Sequence, residues 1–150
     1  MAKGGEAVCI VLAVIYTVPN CQNKHIWDIH SGIKRSVEDI CDELLNNTET
    51  NCTWIGGEPT MQAKAFTKLS KLIKSKSNKT IWLYSGHTYE KLIQNVDTLN
   101  LLKECDVLVD GRWIEELKDT QLCFRNSSNQ RIIDVKSSLK KQKIILWERR

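Results

Sequence analysis

The stretch Thr53-Trp54-Ile55-Gly56-Gly57-Glu58-Pro59 constrains this chain more than any other. A short apolar run stops abruptly at two glycines, a carboxylate and a proline, the pattern of a strand that ends in a turn. Adjacent glycines carry no Cβ, so bare amides and carbonyls can come close to a ligand, while Pro59 fixes the exit direction and has no amide hydrogen to offer. Taken alone, the turn has two readings: a seat for a small polar ligand, or the ordinary Gly-Gly joint of a strand that feeds a helix.

The flanking sequence repeats the theme. Val8 to Val18 is apolar and rich in β-branched residues, a buried first strand ended by Pro19-Asn20, and a loop with Cys21, Asn23, Trp27, Asp28 and Gly32 follows. A helix is predicted from Ser36, with Asp39 as its capping partner and Val37, Ile40, Cys41, Leu44 and Leu45 on one face. Cys52 to Ile55 is the second strand. The next helix, Met61 to Lys76, is expected to bury Ala65, Phe66, Leu69, Leu72 and Ile73 and to turn Lys64, Lys68, Lys71 and Lys74 to water. Thr80 to Tyr84 is a third strand closing at Ser85-Gly86; Thr88 and Asp97 are candidate caps of two short helices. Asp106 to Val109 is a fourth strand ending at Asp110-Gly111, and Lys143 to Trp147 closes the chain as a strand-like run.

Strands alternating with helices imply βαβ crossovers, hence an α/β fold: a single domain over residues 1–150 with a mostly parallel sheet. The turns at Gly56, Gly86 and Gly111 then all follow the carboxyl ends of strands, where loops converge on ligands in parallel sheets. These turns and the Cys21 loop are expected on one rim.

Composition removes several classes. With 41% apolar and 27% charged residues the chain is neither disordered nor fibrous, and a net charge of +4 spread along it is no nucleic-acid signature. The apolar run at Val8 to Val18 is too short to span a bilayer, so no membrane is expected. Cysteines at 9, 21, 41, 52, 105 and 123, with sequons at Asn46, Asn51, Asn78 and Asn126, leave one alternative, a secreted disulfide-bonded glycoprotein with a signal peptide. Against it, the cysteines lack framework spacing, Cys41 falls on an apolar helix face and the Asn51 sequon lies in a strand. A cytoplasmic protein is the expectation.

Five segments occur in the order and spacing of one family: Cys21-Gln22-Asn23 with Trp27-Asp28, Gly56-Gly57-Glu58-Pro59, Trp82-Leu83-Tyr84-Ser85-Gly86, Asp106 to Gly111, and Ser127-Ser128-Asn129-Gln130-Arg131. From about Pro19 almost to the end, the chain resembles the activating proteins of anaerobic (class III) ribonucleoside-triphosphate reductase, small radical S-adenosylmethionine enzymes. The resemblance implies a partial (β/α) barrel and a 4Fe-4S cluster held by the thiolates of a Cys-x3-Cys-x2-Cys loop, with one iron left open to S-adenosylmethionine. It implies an oxidoreductase activity, reductive cleavage of S-adenosylmethionine and formation of a glycyl radical on the reductase. The partners so implied are that reductase and an electron donor such as flavodoxin.

Residue by residue, the resemblance makes Cys21 the third cluster ligand. Gly56, Gly57 and Glu58 become the turn that holds the methionine amino group, and Ser85, Gly86 and Asp110 lie where strand ends reach the ribose or the methionine carboxylate. Asn129 belongs to Ser127–Arg131, for which two readings stand: contact with the nucleoside or the reductase, or satisfaction of backbone groups in a polar loop. Trp27 reads as packing, and His25, His30 and His87 as solvated or structural.

One departure matters. The other two ligand positions hold Val14 and Val18, and a single thiolate cannot hold a cluster that needs three. Read one base back in degenerate codons, Leu12 to Pro19 permits Gly-Cys-x-x-x-Cys, and one base dropped within the Pro19 codon restores the frame at Asn20-Cys21. A single-base error or a real frameshift upstream of Asn20, leaving residues 1–19 non-native, is therefore the expectation. If the valines are genuine, the alternative is an inactive remnant that binds the reductase.

Overall fold

The computed structural model describes the backbone of residues 6–11 and, in full, residues 35–149. The loop with Cys21, Asn23, His25, Trp27, Asp28, His30 and Gly32, and positions Val14 and Val18, lie outside the described residues.

Element order is β1 (Glu6–Val11), α1 (Val37–Asn46), β2 (Asn51–Gly56), α2 (Ala63–Lys76), β3 (Ile81–Ser85), α3 (Tyr89–Leu92), α4 (Val96–Glu104), β4 (Val107–Asp110), β5 (Arg131–Asp134) and α5 (Val135–Lys141). The strands form one five-stranded sheet in sequential order, β1 to β5. The first four are mutually parallel and β5 runs antiparallel to β4. Among the described residues this sheet is open, with β1 and β5 at its edges, so the α/β expectation stands while the barrel is not established by the strand pairing.

Strand periodicity sorts the side chains into two layers. Cys52, Trp54, Ile81, Leu83, Leu108 and Ile133 share one core with Cys41 and Leu44 of α1, Phe66, Leu69 and Ile73 of α2, Leu92 of α3, and Leu101 and Leu102 of α4. Sequential order with crossovers of one hand puts the helices on one face, and that single core is the result. On the opposite face Trp82, Val107 and Val109 pack with Tyr84, Ile132 and Trp147. Phe124 and Trp147 stand 5.2 and 5.0 Å from the Trp82 ring, so the polar 112–130 loop and the C-terminal tail cover that layer.

Several local expectations are corrected. Ala65 is exposed and Ala63 is buried instead, because Ala63, three residues before Phe66, lies on the same face as the expected Phe66, Leu69 and Ile73 stripe. Lys74 does not point to water: it pairs with Asp106, as does Lys136. Burial pushes the Asp106 carboxyl up, but those two ammonium groups and the Ile81 amide hold it below its ordinary range. Asn95, not Asp97, caps α4, its side chain accepting from the amides of Asp97 and Thr98. Val135–Lys141 forms a helix the apolar spacing did not announce, capped by Asp134 and ended by Gln142 at φ +52°. The closing Lys143–Trp147 run makes an isolated bridge from Leu146 to Ile133 rather than a strand. Cys41, Cys52, Cys105 and Cys123 are free thiols, the first three buried in the helix-side core, which leaves no disulfide framework among the described residues.

Candidate functional site

The carboxyl ends of β1 to β4 lie along one edge of the sheet. Val11 pairs with Gly56, so the chain leaves β1 beside the Gly-Gly turn, and Ser85 pairs with Asp110. Gly56 sits at φ +128°, a conformation that side-chain-bearing residues rarely adopt, so the bend depends on glycine at that position.

Glu58 ties the β2 turn to the β3 turn. The residue is 4% exposed. Oε1 accepts from the Ser85 hydroxyl at 2.9 Å and from the Thr60 hydroxyl and amide at 2.6 and 3.2 Å, and Oε2 accepts from the Gly86 amide at 2.8 Å. A buried charge of this kind persists only when its lone pairs are met, and here four donors converge on it. The Ser85 hydroxyl accepts in turn from the His87 amide, and the His87 carbonyl accepts from the Gly111 amide at 3.3 Å. Burial pushes the His87 imidazole below its ordinary range, with the Glu58 charge opposing.

Asp110, 1% exposed, anchors the β4 end. It accepts from the Tyr89 amide at 2.7 Å and takes both prongs of the Arg131 guanidinium, Nε on Oδ1 at 3.0 Å and Nη2 on Oδ2. Arg131 reaches Glu90 as well, with bonds of 3.0 and 2.8 Å. The hydrogen bonds from Arg131 hold the Glu90 carboxyl down at about 2.

Ser127–Arg131 has a legible task among these residues. Asn129 Nδ2 donates to the Arg112 carbonyl and Gln130 Nε2 to the Gly111 carbonyl, while Gln130 Oε1 accepts from the amides of Asn126 and Ser127. The buried Ser127 hydroxyl accepts from the Ile114 amide. The segment holds the turn after β4 in place.

The structure thus brings Gly56, Gly57, Glu58, Ser85, Gly86 and Asp110 to one edge. Asn129 reaches the same β4 turn, its amide nitrogen 3.7 Å from where a Cβ on Gly111 would stand. The side chains of Glu58, Ser85 and Asp110 point into the fold as clamps, and the half-buried Gly56, Gly57 and Gly86 present main chain. Cys21 lies outside the described residues. Sequence reasoning missed Thr60, Glu90 and the bridging by Arg131. The Glu58-x-Thr60 spacing was a usable signal, since a carboxylate before Pro caps the turn that follows.

The family model for a 4Fe-4S single cluster domain matches residues 7–133. The chain is 30% identical over 135 residues to the anaerobic ribonucleoside-triphosphate reductase-activating protein of Escherichia coli (strain K12), an overlap of 85% of this chain and 86% of that protein. It belongs to that family of activating proteins. The activating protein of Enterobacteria phage T4 is 27% identical over 135 residues, covering 86% and 83% of the two chains. That of Vibrio cholerae is 29% identical over 136 residues, covering 85% and 86%.

The family implies an iron-sulfur cluster, and the described residues do not fit one. No group of three or more metal-ligating side chains occurs among the described residues. Cys41, Cys52 and Cys105 face the helix-side core, where burial pushes each thiol up and away from the thiolate a cluster needs. Val14 and Val18 stand at the two positions where the resemblance leads one to expect thiols.

Proposed function

We propose that this activating-family chain is of radical S-adenosylmethionine type, a partial (β/α) barrel whose strand-end rim seats the methionine end of S-adenosylmethionine. In its intact form, such a protein cleaves S-adenosylmethionine reductively and leaves a glycyl radical on the anaerobic reductase, in the cytoplasm, with an electron donor of flavodoxin class. The observation that carries the reading is the Glu58 clamp. By satisfying its carboxylate internally it fixes two glycine-bearing turns side by side, so that their main chain can meet an ammonium and a carboxylate.

The register of residues 6–11 with β2 and a family match that begins at residue 7 support a native frame there, in which case a frameshift would fall within positions 12–19. Two compensating single-base changes are then required, one after Val11 and one at Pro19. Resequencing codons 8 to 20 decides it: an in-frame read with valine codons at 14 and 18 removes the frameshift. In that case the favoured reading is an inactive protein that binds the reductase.

Equilibrium dialysis with labelled S-adenosylmethionine tests the rim directly. Saturable binding, competed by S-adenosylhomocysteine, is expected of the Val14→Cys, Val18→Cys chain after anaerobic reconstitution. Absence of binding by a folded, cluster-loaded chain overturns the assignment.

A further inference from the structure

We infer that Arg131 is the positioning residue of the rim, setting the β3 and β4 turns through Asp110 rather than touching a ligand. The inference rests on the S-adenosylmethionine reading of that rim. Asp110 ends β4 between Ser85 of β3 and Arg131 of β5. Its carboxylate is buried, and the Arg131 fork meets both oxygens while the Tyr89 amide meets one. Tyr89 opens α3, directly after the Ser85–Thr88 turn, so the Asp110 carboxylate fixes where that turn ends. Glu58 fixes where it begins, through Ser85 and Gly86. A continuous path therefore runs from Glu58 through Gly86 and Tyr89 to Asp110 and Arg131, with the His87 carbonyl to Gly111 amide bond as a cross-tie.

The guanidinium geometry is what the path requires. Arg131 forks onto Asp110 with Nε and Nη2 and onto Glu90 with Nη1 and Nη2. A planar fork can serve two carboxylates at fixed angles, whereas an ammonium is a point charge without direction. Glu90 lies in the first turn of α3, so Arg131 holds that helix from its side chain as Asp110 holds it from its backbone. Without Arg131, the buried Asp110 carboxylate keeps the Tyr89 amide but loses its countercharge, and the Glu90 carboxylate that Arg131 also bridged loses its partner.

The test pairs Arg131→Met with the milder Arg131→Lys, which keeps the charge and loses the fork. Lys74→Met serves as a control that breaks a comparable ion pair on Asp106, at the opposite end of β4. Hydrogen exchange followed by mass spectrometry needs no ligand. Both Arg131 variants are expected to speed exchange across residues 85–89 and at Gly111, and Lys74→Met to leave those amides as they were. In the reconstituted Val14→Cys, Val18→Cys background, S-adenosylmethionine affinity should fall about tenfold with Arg131→Lys, the scale seen when outer partners of a binding group are removed, and stay within twofold with Lys74→Met at equal loss of melting temperature. Unchanged exchange at 85–89 in a folded Arg131→Lys chain overturns the inference. Faster exchange there with no S-adenosylmethionine bound by the folded, cluster-loaded Val14→Cys, Val18→Cys chain, with or without the Arg131 substitution, upholds the positioning and overturns the ligand reading instead.

Discussion

Glu58→Gln is the sharpest perturbation of the rim. The substitution keeps size and shape and replaces one carboxylate oxygen by an NH2 group. With the amide oxygen left in the Oε1 position, the Thr60 and Ser85 donors keep their acceptor, and the new NH2 faces the Gly86 amide, donor against donor. Flipping the amide moves the clash to three donors instead, so the first orientation sets the lower bound. A hydrogen bond to a charged acceptor contributes about 1.5–3 kcal/mol, and a buried donor left without one costs a similar amount. The remaining bonds also lose their charge assistance, which puts the expected destabilisation at about 2–3 kcal/mol. For a domain of this size each kcal/mol lowers the melting temperature by about 2–4 °C, so a drop of roughly 4–12 °C is expected by circular dichroism. Glu58→Ala, which strands every donor, should fall further. A fall of less than about 2 °C for Glu58→Gln refutes the clamp, because a solvated carboxylate would tolerate the exchange at that level.

Acid titration gives a second check, because the Glu90 carboxyl is held at about 2 against an ordinary 4.5 by its hydrogen bonds to Arg131. A depressed folded value means that the pair's stabilisation is complete above 4.5 and is lost as pH falls toward 2. The urea midpoint of Glu90→Gln should accordingly vary less over that window than that of the parent; equal slopes count against the pair. Thiol labelling of the folded chain at pH 8 should modify Cys123, which is exposed, and spare Cys41, Cys52 and Cys105 until denaturant is added. Peptide mapping reads the sites, and prompt labelling of Cys105 would contradict its burial.

Periodicity carried most of the fold into view. The apolar run Ile81 to Tyr84 made β3 legible as a strand, though not its two packed faces, and Cys41 and Leu44 announced the buried stripe of α1. The helix Val135–Lys141 was not legible, since it offers the sheet little beyond Val135 and Leu139 and depends on an Asp134 cap and a strand beside it. The antiparallel turn of β5 was equally hidden: Ile132-Ile133 is too short to reveal direction, which the loop's return across Asp110 determines. At the site, the glycines and carboxylates were identifiable as types in the right order. What each carboxylate faces was not, because the partners of Glu58 and Asp110 come from positions 27 and 21 residues away. Long-range pairing of that kind leaves no periodic trace in a single sequence.

Iron and sulfide content after anaerobic reconstitution tests the central claim most directly, measured on the chain as written beside its Val14→Cys, Val18→Cys form. The account predicts a full cluster with its broad visible absorbance in the double variant and background iron in the chain as written. Background iron in both, with the double variant folded, contradicts it.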